Sequence, residues 1–428
     1  MSSLQFFQLN KDTLFEHIFE RYVRLEDNIN DLKQDLGIQN RNRNQIEINI
    51  EPSDEQQQYI ASIKNNKNKQ QTKKNLKRGR RRRSGKRKQD LEINPDTQKA
   101  LGTTNTASIS IVKNTFSFIV DQSLTSLNSS RDNNNSTTGY VLWSITPFFL
   151  KWLLYDPAAN VFRSGISNYP LERESLEEEE IDTPLKKDNP YVQISSILNL
   201  QSISNKEIAK DSKEDHKKCV IELGSGISGI LPIVLGNYVD YYIGTDQQGI
   251  LNKLKYNIKE NCSQIILREI YSKSLNIEPC GDDSSIVEKN DTDTERKALE
   301  RPKLFLEIEC IDWETFKLDN ESISSLYPSL DTMKQLESKT VYIVAMDVIY
   351  NDFLIKPFLN TIQQLRAYYL EDDNNGSVTV VILIGVHLRS QEVVTTFLEQ
   401  AIEQDTWSVY SIDTLEWKKS RFNLYMIK

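Results

Sequence analysis

The stretch KKCVIELGSGISGILPIVLG, residues 217–236, decides how this chain is read. Cys219–Leu223 is an apolar run interrupted only by Glu222, which predicts a buried strand. A turn of glycines and serines follows, and residues 227–237 then predict a helix. Gly224-x-Gly226-x-x-Gly229 matches the dinucleotide-binding fingerprint letter for letter. Glycine lets the backbone approach a ligand closely, but such a pattern recurs by chance. The residues around the turn must therefore decide what sits on it.

Working outward, YYIGTD (241–246) predicts a second strand ending in Asp246, and GILNKLKYNIKEN (249–261) an amphipathic helix. Further strands are expected at 265–271, 304–310, 341–347 and 377–386, with helices between 348 and 370 and at 391–404. WSVYSI and FNLYMIK close the chain as two more short strands. Strands that alternate with helices and are apolar throughout predict a mostly parallel sheet covered on both faces. Upstream, residues 11–36 show the three-and-four spacing of an amphipathic helix. Residues 108–120 alternate like strands, and 137–156 reads as a turn leading into an apolar helix that carries Trp143.

The chain has 428 residues, of which 38% are hydrophobic, a low share for a single packed unit of this length. The expected organisation is an N-terminal helical segment (1–39), a basic, low-complexity segment (40–107) and an α/β domain (108–428). Insertions are expected in that domain near 171–217 and 279–300. Net charge is −8 but unevenly spread. Lys73–Lys88 (KKNLKRGRRRRSGKRK) is strongly basic, and LERESLEEEEID (171–182) strongly acidic. The basic run reads either as a contact for RNA or an import receptor, or as a solvated insertion, since no aromatics interleave to stack on bases. Four cysteines (219, 262, 280, 310) and three histidines (17, 216, 387) show no metal-ligand, redox or triad spacing. No apolar run reaches bilayer-spanning length, and the start lacks the pattern of a secretory signal. The expectation is a monomer without membrane contact, cytoplasmic and also nuclear.

Which cofactor sits on the turn is decided by acids and aromatics. A P-loop is excluded, because no Lys-Ser/Thr follows the glycines. Asp246 can grip ribose hydroxyls in a dinucleotide or in S-adenosylmethionine alike. Glu222, one residue from the strand end, would repel a pyrophosphate but suits a sulfonium and an amino group. Asp312-Trp313 ends the next clear strand, where it can hydrogen-bond and stack on adenine. Met346-Asp347-Val348-Ile349-Tyr350 ends the strand at 341–347, on the rim where open α/β sheets bind ligands.

Together, Thr138-Gly139-x-x-x-Trp143, Glu222 through Gly229, Asp246, Asp312-Trp313 and Asp347-x-x-Tyr350 resemble the seven-strand S-adenosylmethionine-dependent protein-lysine methyltransferases. The particular group is marked by an Asp-x-x-Tyr motif after the fourth strand. AMDVIYNDFLIKPFLNTI, VHLRSQEVVTTFLE and SRFNLYMIK are most similar to its fungal ribosomal lysine methyltransferases, which modify large-subunit ribosomal protein L1. The likeness covers 108–428, apart from the insertions. It implies a Rossmann-like, mostly parallel sheet with an antiparallel C-terminal strand, to which the N-terminal helix and strand are extensions. Gly224, Ser225 and Gly226 would floor the methionine moiety, Glu222 face its charge and Asp246 hold the ribose. Trp313 would flank adenine, Trp143 wall the cofactor and Met346 offer backbone beside it. Asp347 would orient the incoming lysine and Tyr350 wall its slot. Two other readings stay open: transfer to another protein, such as a translation factor, or to RNA, and a non-catalytic binding protein. No Asn/Asp-Pro-Pro-Tyr arrangement for exocyclic base amines is present.

Overall fold

A strand as apolar as Cys219–Leu223 leaves no side for water, so it requires a packed layer on each face. The computed structural model supplies both. It describes residues 5–27, 37–54, 57, 115–127, 138–156, 159, 191–192, 216–278, 301–318, 323–371, 376–404 and 406–428. The N-terminal elements are β1 (Gln5–Leu9), α1 (Lys11–Asp27), β2 (Gln45–Ile50), β3 (Phe116–Asp121), α2 (Ile145–Tyr155) and β4 (Tyr191–Val192). The central ones are β5 (Lys217–Leu223), α3 (Ile230–Leu235), β6 (Tyr241–Asp246), α4 (Gln248–Asn261), β7 (Glu269–Tyr271) and β8 (Lys303–Cys310). Then follow α5 (Pro328–Lys334), β9 (Lys339–Met346), α6 (Asp352–Leu370), β10 (Val378–His387), α7 (Gln391–Ile402), β11 (Val409–Asp413), α8 (Leu415–Lys419) and β12 (Phe422–Ile427).

Among the described residues, ten strands form one sheet in the order β4-β1-β11-β12-β10-β9-β5-β6-β8-β7. Neighbours from β10 to β7 pair in parallel. Pairs from β10 out to β4 are antiparallel, with β12 set between β10 and β11. The antiparallel C-terminal strand is thus present, but the sheet is wider than the seven strands expected. β1 and the two-residue β4 extend it past β11, and β7 extends it past β8. β7 falls within the strand expected at 265–271, whereas the two-residue β4 and five-residue β1 are too short for a period of two to declare itself.

Strand side chains alternate between two cores. Val220, Tyr342, Val344 and Met346 face α2, α3 and α4. Cys219, Ile221, Val341, Ile343 and Ala345 face α1, α5, α6 and α7. The segment read as low complexity from residue 40 is regular at its start. β2 buries Ile46, Ile48 and Ile50 and pairs antiparallel with β3. Three isoleucines at alternate positions are a strand signal that the polar residues between them concealed. Two asparagines of α4 satisfy the backbone of β3. Asn257 accepts from the Asp121 amide (2.9 Å) and donates to its carbonyl (2.8 Å), and Asn261 does the same at Ile119 (3.0 and 2.9 Å). The basic run at 73–88, the acidic run at 171–182, the insertion at 279–300 and residues 28–36 of the expected first helix lie outside the described residues.

Candidate active site

The chain leaves β5 toward β6 and β8 on one side and later lays β9 and β10 on the other. The β5–β9 boundary is therefore the switch point, where such sheets open a crevice at the strands' carboxyl ends. One cleft lies there. Its lining includes all ten residues singled out from the sequence: Trp143, Glu222, Gly224, Ser225, Gly226, Asp246, Trp313, Met346, Asp347 and Tyr350.

The turn after β5 has Gly224, Gly226 and Gly229 at φ of 71°, 58° and 66°, a region that side chains with a Cβ avoid. A Cβ at Gly224 would come within 2.8 Å of Val348 Cγ1 and 3.2 Å of Trp313. At Gly229 it would meet Ile258 at 2.6 Å, so that glycine serves the packing of the turn on α4. Asp246 ties the second strand to this turn: Oδ2 accepts from the Gly226 amide and Oδ1 from the Gln247 amide, both at 2.7 Å. The N-cap of α4 is Gln247, so Asp246 is not spent on capping that helix. Glu222 is buried beneath the turn, where Tyr242 donates to its Oε2 at 2.8 Å.

The opposite wall comes from β9 and β10. Asp347 follows Met346 in a left-handed conformation (φ 64°), and its amide donates to Gly385 O at 2.8 Å. The N-cap of α6 is Asn351, which accepts from Phe353, leaving Asp347 free for other work. Both Asp347 oxygens are held by the guanidinium of Arg389, from Nη1 at 2.9 Å and from Nη2. Arg389 in turn lies over the Trp143 ring, 4.4 Å from its centroid. Trp143 is fixed by its Nε1 donating to Thr138 O at 2.9 Å and by a backbone bridge to Ile38. Trp313 packs against Phe358 of α6, with ring centroids 5.0 Å apart.

Burial shapes the electrostatics. Desolvation pushes the Glu222 carboxyl up to about 7, against its hydrogen bonds from Tyr242 and Ser225. Asp246 is pushed up to about 6 for the same reason, opposed by the two backbone amides. At Asp347 burial again raises the carboxyl, but the Arg389 charge and a backbone hydrogen bond from His387 pull the other way. The cleft lining carries four carboxyl groups (Glu222, Asp246, Asp312 and Asp347) and no lysine, arginine or histidine among the described residues. Such a surface suits cationic groups and disfavours phosphates.

Sequence reading did not assign Arg389 a role. Its one available signal was position: a cation just past β10, the strand beside the one that carries Asp347. Gly385 also went unread; a Cβ there would run into Met346 and Ile145, so its absence makes room for the Met346 side chain.

Fold and cleft together define a Rossmann-like α/β protein with an acid-lined crevice at its switch point. No family model matches the chain. The ribosomal lysine N-methyltransferase 5 of Saccharomyces cerevisiae strain S288c is 38% identical over 420 residues, covering 98% of each chain. That of strain Lalvin EC1118 is 37% identical over the same length and shares. The chain belongs to the ribosomal lysine N-methyltransferase 5 family and is a methyltransferase. Among solved structures, a METTL16 methyltransferase domain aligns with a TM-score of 0.25 at 10% identity, over 49% of this chain and 72% of that one. A likeness so weak carries no argument.

Proposed function

We infer that this methyltransferase uses S-adenosylmethionine and acts on a lysine side-chain amine of large-subunit ribosomal protein L1. The observation that carries the choice of cofactor is the pair of acids beside the glycine turn, Glu222 and Asp246, with no lysine, arginine or histidine among the described residues of the lining. A pyrophosphate placed on the glycine turn would face Glu222 and Asp246 at close range, whereas a sulfonium and an α-amino group are attracted to them. The donor set fits the rest of the molecule: Asp246 for the ribose hydroxyls, Trp313 for the adenine, small Gly224 and Gly226 for the methionine moiety. Choice of a ribosomal protein follows the name of the relatives, and L1 the likeness of the segments around Asp347 and the C-terminus.

Bound there, S-adenosylmethionine supplies an electrophilic methyl group. The protein's part is to align a nitrogen lone pair with it and to exclude water. A lysine amine is mostly protonated at neutral pH and must lose its proton to solvent before it can attack. The donated methyl would pass to that nitrogen, with the electron pair of the broken C–S bond left on sulfur. Asp347 accepts a hydrogen bond from the amine and so fixes its direction. Tyr350 walls the slot with a ring face suited to the lysine stem.

The test is incubation with labelled S-adenosylmethionine and ribosomes from cells lacking the gene. Label is expected on a lysine of L1, with a matching difference in the intact mass of that protein between cells with and without the gene. Label confined to RNA would sink the protein-substrate reading.

A further inference from the structure

A carboxylate beside a lysine amine poses a problem that the lysine reading, on which this inference rests, must solve. An isolated negative charge stabilises the ammonium form and so withholds the nucleophile. Arg389 answers it. Its fork engages both oxygens of Asp347 and the His387 backbone takes a further position, yet a carboxylate has about four lone-pair sites, so one remains to offer. We propose that Arg389 is a positioning residue that makes Asp347 a net-neutral acceptor, orienting the substrate amine without holding it protonated. The pair does two jobs that a lone carboxylate cannot combine. It keeps a fully formed hydrogen-bond acceptor in the slot, and it places a fixed positive charge behind that acceptor, which favours the uncharged amine.

The surroundings are built to hold the pair. Asp347 is locked by its left-handed backbone and its amide bond to Gly385. Arg389 lies over the ring of Trp143, itself pinned from Thr138 and Ile38. The other ionisable groups near the slot come from several elements. Tyr350 lies between β9 and α6, Glu222 ends β5, Asp246 ends β6, and Asp312 follows β8. His387 ends β10, and Arg421 precedes β12. His387 is driven down to about 3 by burial and by the charges of Arg389 and Arg421, so it stays neutral through the working range. Glu222 and Asp246 titrate within that range, but equally in wild type and variant.

The experiment is the pH dependence of kcat, at saturating S-adenosylmethionine and L1, for wild type, Arg389→Gln and Arg389→Lys. Removing the arginine leaves an uncompensated carboxylate, which raises the amine's pKa. The rising limb of Arg389→Gln should therefore move up by about one pH unit or more. Its rate at pH 7 should fall at least tenfold and recover toward wild type above the shifted limb. Arg389→Lys, which keeps the charge, should lie between the two, and both variants should retain cofactor affinity. Equal loss at every pH, or an unmoved limb in Arg389→Gln, would overturn the proposal. Absence of lysine transfer by the wild type at any pH is a different failure: it would overturn the functional reading and this proposal with it.

Discussion

Two carboxylates of one cleft, Glu222 and Asp347, are almost equally hidden, at 4% and 5% exposure, yet they are set up for opposite duties. The hydrogen-bond partners of Glu222 are the uncharged hydroxyls of Tyr242 and Ser225, so burial, helped by the nearby Asp246 charge, lifts its carboxyl to about 7. Asp347 is opposed by a guanidinium that binds both its oxygens. The β5 side of the cleft thus carries an acid raised toward neutral pH by burial, whereas the acid on the β9 side has its counter-charge built in. Burial by itself does not decide what a buried acid does; the partner does.

The sharpest way to break this contrast is Asp347→Asn, which keeps the shape and tolerates a positive φ. Methyl transfer should fall about 100-fold or more, as expected when a reacting group loses its alignment, while calorimetric cofactor affinity stays within a few-fold. Loss of cofactor binding as well would show that the two halves are not separate. Next in size is Gly224→Ala on the cofactor side. A side chain at φ 71°, pressed on Val348 and Trp313, should cost about 2 kcal/mol of stability, read by denaturant unfolding.

The pH behaviour of Glu222 sharpens the comparison further. Its folded-state pKa is raised, so its contribution to stability is greatest below about 4.5 and is lost as pH climbs through about 7. Asp246, raised to about 6, works in the same direction. The cofactor-free protein should therefore melt at lower temperature at pH 8 than at pH 5.5, and Glu222→Gln should flatten that slope. A bound cation favours the ionised form, so affinity for S-adenosylmethionine should rise about tenfold from pH 6 to pH 8. S-adenosylhomocysteine, which lacks the sulfonium charge, should respond less, and a parallel response would remove Glu222 from the sulfonium's surroundings. Smallest is Trp143→Phe, which weakens the shelf under Arg389. A cation–π contact is worth about 1 kcal/mol, so transfer at pH 7 should drop less than about tenfold.

Much of the candidate cleft was legible because the residues that line it fall in short windows of sequence. The glycine turn, Asp246 at a strand end and Asp347-x-x-Tyr350 after another strand are local patterns, and strand ends on one sheet rim must converge. Arg389 was not legible. It sits 42 residues from Asp347, and the separation says nothing until β10 is laid parallel to β9 with Gly385 opposite Met346. β2 was missed for the opposite reason: its strand signal is local, but asparagines and glutamines around it dominate the window.

The sequence by itself determined the alternation of apolar strands and helices, the glycine turn and the acids at the strand ends. These follow from periodicity and backbone sterics, which act between near neighbours. Only the tertiary structure decided the width of the sheet, the place of β1 at its edge and, above all, which charge each buried acid meets. A carboxylate's behaviour depends on its desolvation and on the groups within a few ångströms, and both are set by chain segments far apart in sequence.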